Sequence, residues 1–320
     1  MRSVAVLLVL VATACSSSGS SYHPPCEGVA PDGQEACLTD FYFKDDSPPA
    51  PAALCPRFVP SSEKVGGRRE VSFFLGVGMS DDDARQEGRS LQRFYRTYDL
   101  TFFTRAPTAG VPFQYALSGD DSEINAAVQK VGVKPGDQPT AEQKAAIDKA
   151  VADILFRDLR SFVTRESNPP KTLVNVVVLG EIASPEVAKQ VNGIIGGLGI
   201  SPRLLKNIAA DDPQKDLFTI LGLPEDFTPT LFVGHRDIVQ YAQNRDVVVA
   251  HEMGHAMGLQ HTQEPGNLMT QLQASNPCQA GLDDDQIAQL REAADVMMVS
   301  GWQMLLDVHR AVVERAISQH

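Results

Sequence analysis

The sequence predicts an α/β domain in which short apolar strands alternate with longer amphipathic helices. Three observations support this class. A strand–helix–strand pattern covers residues 71–103, apolar residues recur at helical spacing over residues 140–163, and residues 173–179 are apolar almost without interruption. A near-continuous apolar strand is typical of the middle of a sheet that is covered on both faces. We therefore expect residues 173–179 to form a central, buried strand.

Composition and net charge argue against some classes of protein function. The 320 residues are 43% hydrophobic and 21% charged, which is typical of a packed globular protein and argues against wholesale disorder. The chain has 28 Lys and Arg against 40 Asp and Glu, a net charge of −12, with no block of basic residues. Because nucleic-acid binding depends on a positive surface that displaces counterions, the sequence argues against a nucleic-acid partner.

The first 15 residues are predicted to be a signal peptide. Arg2 precedes an apolar run from Val4 to Ala12, which is too short to span a bilayer and is typical of a secretory signal. The small residues directly before Cys15 resemble a bacterial lipobox, although Ala12 stands where leucine is usual. We expect lipidation of Cys15 and a cell-envelope lipoprotein, at the outer membrane or cell surface, that contacts membrane only through its lipid. The alternative is an ordinary signal cut nearby and a secreted protein.

The remaining cysteines predict disulfides. Without Cys15, four are left: Cys26, Cys37, Cys55 and Cys278. An even number in an oxidising compartment favours two disulfides, one of which must join the N-terminal segment to Cys278. All three connectivities remain open. A thiolate of one of the first three on a metal is a weaker alternative.

The predicted elements follow in chain order. Residues 16–68 are expected to be a tether followed by an irregular segment that contains cysteines, and the main domain covers residues 69–320. Within this domain, an insertion is expected at about residues 106–170. Its long helix should bury one stripe, consisting of Ile147, Val151, Ile154, Leu155, Leu159 and Phe162. The predicted strands are 71–77, 100–103, 173–179 and 230–233, and the predicted helices are 80–98, 140–163, 247–259, 283–299 and 302–317.

The residues most informative about function lie on the helix predicted at 247–259. His251 and His255 are four residues apart, so their side chains project from the same helix face. Two such imidazoles can bind one tetrahedral zinc ion, and Glu252 lies beside the first of them. Gly258 then ends the helix, because glycine accepts left-handed backbone torsions at little cost. The returning chain brings His261 as a third nitrogen ligand.

This HExxHxxGxxH pattern resembles the zinc motif of the metzincin clan of metalloproteases. Met269 follows His261 by eight residues in a turn-rich segment that resembles the Met-turn of the clan, and the spacing is similar to that of matrixins. Asp283 and Gln286 have capping-box spacing at what resembles the clan's last helix. The resemblance implies a zincin fold, with a twisted mixed sheet above the zinc-binding helix and a helical C-terminal part.

The resemblance also implies a function. An exported zinc endopeptidase would bind one Zn²⁺ through His251, His255 and His261 and hydrolyse peptide bonds with a zinc-activated water, with Glu252 as general base. Met269 would form an adaptable floor to the site. The expected partner is a protein or peptide substrate, and no feature of the sequence indicates an oligomer.

Several alternatives and departures accompany this interpretation. The chain lacks a PRCGxPD cysteine switch, and Gln271 stands where astacin-like enzymes have a tyrosine. Glu292 could serve as a gluzincin-type ligand, but His261 has the better spacing. The competing functions are a catalytically silent zinc-fold lipoprotein that binds a peptide or surface polymer, and hydrolysis of another substrate such as a cell-wall peptide amide.

The remaining features are expected to have no role in the site. The acidic triplets at 81–83 and 283–285 fit helix starts, and structural Ca²⁺ has no support from their pattern. Surface positions are expected for His23, His309 and His320. His235 is interpreted as following an edge strand, to which a peptide could add.

Overall fold

The computed structural model describes residues 23–47, 58–133, 138–166, 173–190, 195–201, 222–223, 227–242, 245–270, 281–292 and 301–318. Within these ranges the chain forms a six-stranded sheet in the order β2-β1-β4-β6-β5, with β3 paired to the end of β1. All neighbouring strands are parallel except β5, which runs antiparallel to β6. The strands are β1 Arg68–Leu75, β2 Thr101–Phe103, β3 Ala109–Gly110, β4 Leu173–Leu179, β5 Gly197–Ile200 and β6 Thr230–Gly234. The expected mixed sheet is therefore confirmed.

Helices lie on both faces of this sheet. Their bounds are α1 Pro31–Phe43, α2 Asp81–Tyr95, α3 Asp121–Val131, α4 Ala141–Leu155, α5 Arg157–Arg165, α6 Pro185–Gln190, α7 His235–Tyr241, α8 Arg245–Ala256, α9 Asp284–Glu292 and α10 Gly301–Ser318. The α/β class is confirmed. So are the two acidic helix starts: Ser80 and Asp83 form a capping box at α2, and Asp283 pairs with Gln286 at α9.

Side-chain alternation along the strands divides the core into two layers. On β4, Val174, Val176 and Val178 face the layer that contains α1, α2, α8 and α9, whereas Val177 and Leu179 face α3 to α6 and α10. Successive residues of a strand point to opposite faces, so an unbroken apolar strand is buried on both. This arrangement confirms the central position predicted for residues 173–179. It also places the motif helix α8 on one face, away from the insertion.

The insertion is helical, with one difference from the prediction. The predicted stripe from Ile147 to Phe162 is buried, as expected. However, the single helix predicted over residues 140–163 is interrupted at Phe156, where φ is −103° and ψ is 15°. Phe156 is completely buried. The bend at this residue separates α4 from α5, so the two helices cover different parts of the same layer. Periodicity alone could not detect this bend, since the apolar spacing continues across it.

The N-terminal segment contains a helix that the sequence analysis missed. Residues 31–43 form α1, so the expectation of irregular structure over residues 26–68 is wrong for this part. Pro31 occupies the first turn, where its missing N–H costs no hydrogen bond. Leu38, Tyr42 and Phe43 are buried against α2 and the sheet. The high Pro and Gly content of the flanking residues concealed this short apolar face.

A disulfide joins the start of this segment to α1. Cys26 and Cys37 are bonded, with their Cα atoms 6.0 Å apart. The alternative of a metal-bound thiolate is therefore wrong for these two residues. Cys15, Cys55 and Cys278 lie outside the described residues, so lipidation of the first and pairing of the other two stay predictions.

Two further findings concern the helices. In the part of the chain that the structure describes, none of them combines the length and apolar character needed to cross a bilayer. His309 on α10 is buried, with 6% of its surface exposed, and it lies beside Phe156. The expected surface position of His309 is therefore wrong, because α10 packs this side against α4.

Candidate metal centre

Helix α8 and the chain reversal after it bring three histidines together. His251 and His255 lie one turn apart on α8, and both are buried. The helix ends at Ala256, and Gly258 follows with φ of +100°, a left-handed conformation that suits glycine. The reversed chain then places His261 opposite the other two, with one side open to solvent. The structure thus confirms the local geometry that the motif predicts.

Nε2 of His261 lies at the distance from the other two ring nitrogens that a shared zinc ion requires. The Nε2 atom of His261 lies 3.3 Å from Nε2 of His251 and 3.3 Å from Nε2 of His255. A tetrahedral ion with Zn–N bonds of about 2.0–2.1 Å places its ligand atoms about 3.3 Å apart. Among the described residues, these three histidines form the one group of three or more His, Cys, Asp or Glu side chains close enough to hold a metal. The donor set therefore fits zinc.

Backbone carbonyls orient the two helix histidines. Nδ1 of His251 lies 2.6 Å from the carbonyl oxygen of Leu268, and Nδ1 of His255 lies 2.8 Å from that of Leu259. A carbonyl only accepts, so each Nδ1 must carry the proton and each Nε2 keeps its lone pair for a metal. Hydrogen bonds of this kind normally fix both the tautomer and the ring orientation of a metal-binding histidine.

The surroundings also keep the three rings neutral. Burial lowers the pKa of His251 to about 3, and the neighbouring His261 adds to this effect. Burial lowers the pKa of His255 well below its usual range, and that of His261 is lowered for the same reason. Neutral imidazoles are the form that coordinates a cation. The centre is therefore ready to bind a metal at neutral pH.

Glu252 lies between α8 and the edge strand β5. Its side chain is buried, and Oε2 accepts a hydrogen bond of 3.0 Å from the backbone N–H of Gly199. Burial raises the pKa of Glu252 to about 7, while this hydrogen bond acts in the opposite direction. A Cβ atom at Gly199 would lie 2.1 Å from the carbonyl oxygen of Glu252, and one at Gly197 would lie 2.4 Å from its Cγ. Two glycines therefore allow β5 to pass directly over the helix.

Met269 packs against helix α8 at Gly254, between the two helix histidines in the sequence. Met269 is completely buried, and its Sδ would lie 2.7 Å from a Cβ atom at Gly254. The adjacent Leu268 supplies the carbonyl that orients His251. The side chain of Asn267 accepts the N–H of Met269 at 2.8 Å and therefore stabilises the turn.

Of the other predicted candidates, the structure describes the side chain of His235. His235 is buried between Asp83 and Glu87 at the start of α7, and the preceding strand β6 is internal to the sheet. The hypothesis that His235 follows an edge strand is therefore wrong. Gln271 lies outside the described residues. Glu292 is the last residue of α9, and the prediction for its side chain lies outside the described residues.

Sequence reasoning missed three contacts that position the site. They are the Gly199 N–H that holds Glu252, the amide pair between Asn267 and Gln286, and the Tyr95 hydroxyl that donates to the carbonyl oxygen of Ala250 at 2.8 Å. None of the three has a local signature, because each joins residues of different elements. The local signal nearby is the Asx-turn in which the side chain of Asn267 accepts the Met269 N–H.

Comparisons with known proteins agree with this site. The family model described as matrixin, peptidase family M10, matches residues 143–293, which include all three histidines, Glu252 and Met269. No curated protein matches the chain. Metalloproteinase-II from Bacteroides fragilis is similar in structure, with 11% sequence identity and a TM-score of 0.36. That alignment covers 75% of this chain and 56% of the solved structure, so the chain spans little more than half of its length.

The structure similarity is too weak to carry an argument, whereas the family match covers the segment that holds the whole centre. This match and the three converging histidines lead to one conclusion: the resemblance to metzincin metalloproteases of the matrixin type is confirmed for this chain.

Proposed function

We propose that this protein is a zinc-dependent endopeptidase. The single observation that carries the proposal is the position of Nε2 of His261, 3.3 Å from Nε2 of both His251 and His255, with the buried carboxylate of Glu252 on the same helix as these two. The matrixin family match supports the same activity class. The proposed substrate is a protein or peptide, and the proposed cofactor is one Zn²⁺ ion held by His251, His255 and His261.

The proposed chemistry divides the roles between the metal and the chain. When bound, zinc supplies Lewis acidity, which activates water as a nucleophile and polarises the scissile carbonyl group. Glu252 is proposed to accept a proton from the attacking water and return it to the leaving amine. The Gly199 N–H holds Oε2 of Glu252, so Oε1 is the oxygen assigned to this proton transfer. The carbonyl groups of Leu268 and Leu259 keep His251 and His255 in the binding tautomer.

The experiment compares the purified protein with Glu252→Gln and with Glu264→Gln as a matched control. Glu264 is exposed and lies three residues after His261. Its substitution makes the same chemical change, from carboxylate to amide, at a position outside the proposed site. Each protein is assayed on a diverse peptide library, with and without a zinc chelator, after its zinc content has been measured. We expect Glu252→Gln to retain zinc and lose about 10²–10⁴-fold in cleavage rate, and Glu264→Gln to match the wild type.

The outcomes separate the competing functions. Cleavage by the wild type that requires both metal and Glu252 supports the endopeptidase. Stoichiometric zinc without cleavage of any peptide would instead favour the silent binding protein. Hydrolysis confined to cell-wall peptides would favour the narrower substrate class. Absence of zinc from the folded protein would contradict the site assignment.

We also propose that the mature protein is an exported lipoprotein. The signal-like residues 1–14 and Cys15 support this proposal, and the Cys26–Cys37 disulfide is compatible with an oxidising compartment. Mass spectrometry of the N-terminal peptide from the native host is expected to show a diacylglyceryl-type lipid on Cys15. An unmodified N-terminus at another residue would overturn the lipid anchor and leave a secreted protein.

A further inference from the structure

A buried amide pair lies beneath the metal centre. The side chains of Asn267 and Gln286 bond to each other in both directions: Nδ2 of Asn267 donates to Oε1 of Gln286 at 2.9 Å, and Nε2 of Gln286 donates to Oδ1 of Asn267 at 3.0 Å. Asn267 is completely buried, and Gln286 is 6% exposed. Buried polar groups are costly unless they are satisfied, so a reciprocal pair in this position defines one geometry strongly.

The pair joins two different elements. Gln286 belongs to the capping box of α9, where its Oε1 accepts the N–H of Asp283 at 3.0 Å. Asn267 belongs to the turn that contains Met269, and its Nδ2 also donates to Oδ2 of Asp283 at 2.9 Å. The start of α9 therefore serves as a rigid support for this turn. A second bond supports the same junction, from the Leu268 N–H to the carbonyl oxygen of Gly281 at 2.6 Å.

This turn also orients His251, one of the proposed zinc ligands. The Leu268 carbonyl accepts the Nδ1–H of His251. Hydrogen bonds hold the next residue, Met269, at both its N–H and its carbonyl oxygen. On one side, the side chain of Asn267 accepts the Met269 N–H. On the other side, the carbonyl oxygen of Met269 accepts the N–H of Thr262 at 3.0 Å, next to His261. Hydrogen bonds thus join Gln286 to Asn267 and the Leu268 carbonyl to His251, and the peptide bond between Asn267 and Leu268 connects the two.

We propose that Asn267 and Gln286 are positioning residues for the metal centre, which hold the Leu268 carbonyl where it orients His251 for zinc. The inference rests on the proposed function, since it takes the three Nε2 atoms as zinc ligands. Its physical basis is that groups which orient metal ligands typically change metal affinity by about 10–100-fold when they are removed.

The experiment measures the zinc dissociation constant of the full-length protein by competition with a chromophoric chelator. The visible spectrum of the Co²⁺-substituted protein reports the coordination geometry. Two variants delete the pair, Asn267→Ala and Gln286→Leu. Gln286→Glu keeps an oxygen that accepts from Asp283 and Asn267, but it replaces the Nε2 donor with a carboxylate oxygen that faces Oδ1 of Asn267. Ile147→Ala is the control, because it removes buried volume on α4, in the core layer on the opposite face of the sheet.

We expect about 10–100-fold weaker zinc binding in the two deletion variants, with an altered Co²⁺ spectrum. Gln286→Glu should lose at least about threefold in zinc affinity, because one hydrogen bond is lost and a carboxylate oxygen then faces Oδ1 of Asn267. Ile147→Ala should lower the stability without changing zinc affinity. If the deletion variants do not fold, the value for Gln286→Glu decides the question.

Wild-type affinity in the folded deletion variants, or in Gln286→Glu alone if they do not fold, would overturn the inference. An equal loss in Ile147→Ala would also overturn it, because the effect would then be one of general stability. These outcomes are distinct from failure of the proposed function, in which the wild-type protein itself binds no zinc or does not cleave peptides.

Discussion

The close crossing of strand β5 and helix α8 depends on the absence of a side chain at Gly199. Its Cβ atom would lie 2.1 Å from the carbonyl oxygen of Glu252 and 2.7 Å from Cβ of His255, so neither the strand nor the helix could stay in place. Overpacking of this kind costs typically about 1–3 kcal/mol and displaces backbone. Gly199→Ala is therefore expected to lower the free energy of unfolding by at least about 2 kcal/mol and to weaken zinc binding.

Gly196 in the same glycine-rich stretch is the matched control. Its Cβ atom would lie 3.5 Å from side-chain atoms of Ile238 and Val248, an ordinary contact distance. Gly196→Ala is expected to change stability by less than about 0.5 kcal/mol. Urea unfolding of both variants, with zinc titration, checks the prediction. Equal behaviour of the two alanine variants would contradict the role assigned to the close crossing of β5 and α8.

Glu87 connects helix α2 to the beginning of helix α8 through buried charged contacts. It is completely buried on α2, with Oε1 2.5 Å from Nδ1 of His235 on α7, and it also pairs with Arg245, the first residue of α8. Removal of one partner from a buried charged group typically costs about 3–5 kcal/mol, because the remaining charges stay buried and unpaired. Glu87→Ala is therefore expected to cause a loss of this size.

Glu63 provides the matched control on the surface. It pairs with Arg291, but the two side chains are 51% and 41% exposed. Exposed ion pairs typically contribute about 0–1 kcal/mol, since water and salt screen them. Glu63→Ala should therefore have little effect in the same denaturant titration. A loss in Glu87→Ala no larger than that in Glu63→Ala would show that the buried cluster does not anchor α8.

At the scale of the whole molecule, we expect His309 on helix α10 to make one pH-dependent contribution to stability. His309 is buried on α10, and its Nε2 donates to the carbonyl oxygen of Asp148 on α4 at 2.8 Å. Burial lowers the pKa of His309 in the folded protein, whereas the pKa of a histidine in the unfolded chain is about 6.5. Below that pH the unfolded state binds a proton that the folded state does not bind. The contribution to stability is thus complete above about pH 6.5 and is lost as the pH falls.

His309→Gln separates this effect from other titrations. Glutamine keeps a donor for the Asp148 carbonyl and does not titrate. The difference in unfolding free energy between about pH 7 and pH 5.5 should therefore be smaller in the variant than in the wild type. Urea titrations of the zinc-loaded proteins at both pH values measure it. An unchanged pH dependence would show that His309 does not control the docking of α10.

The sequence was sufficient where the chemistry is encoded locally. His251 and His255 share a helix face because the period of the helix requires it, and Gly258 predicts the reversal that returns His261. The near-continuous apolar run at residues 173–179 likewise predicted β4 as a doubly covered strand. These features depend on spacing within about ten residues, which a reader of the sequence can measure directly. The metal centre was therefore predictable as a set of donors.

The contacts that orient those donors were not predictable, because they join residues far apart in the chain. Gly199 and Glu252 are separated by 53 positions, and His309 and Asp148 by 161. Even Asn267 and Gln286, only 19 positions apart, lie in different elements. No periodicity links such residues, since their meeting depends on how strands, helices and turns pack. Local spacing therefore specified the three histidines of the centre, whereas packing determined their orientation, their neutral charge and the place of Glu252.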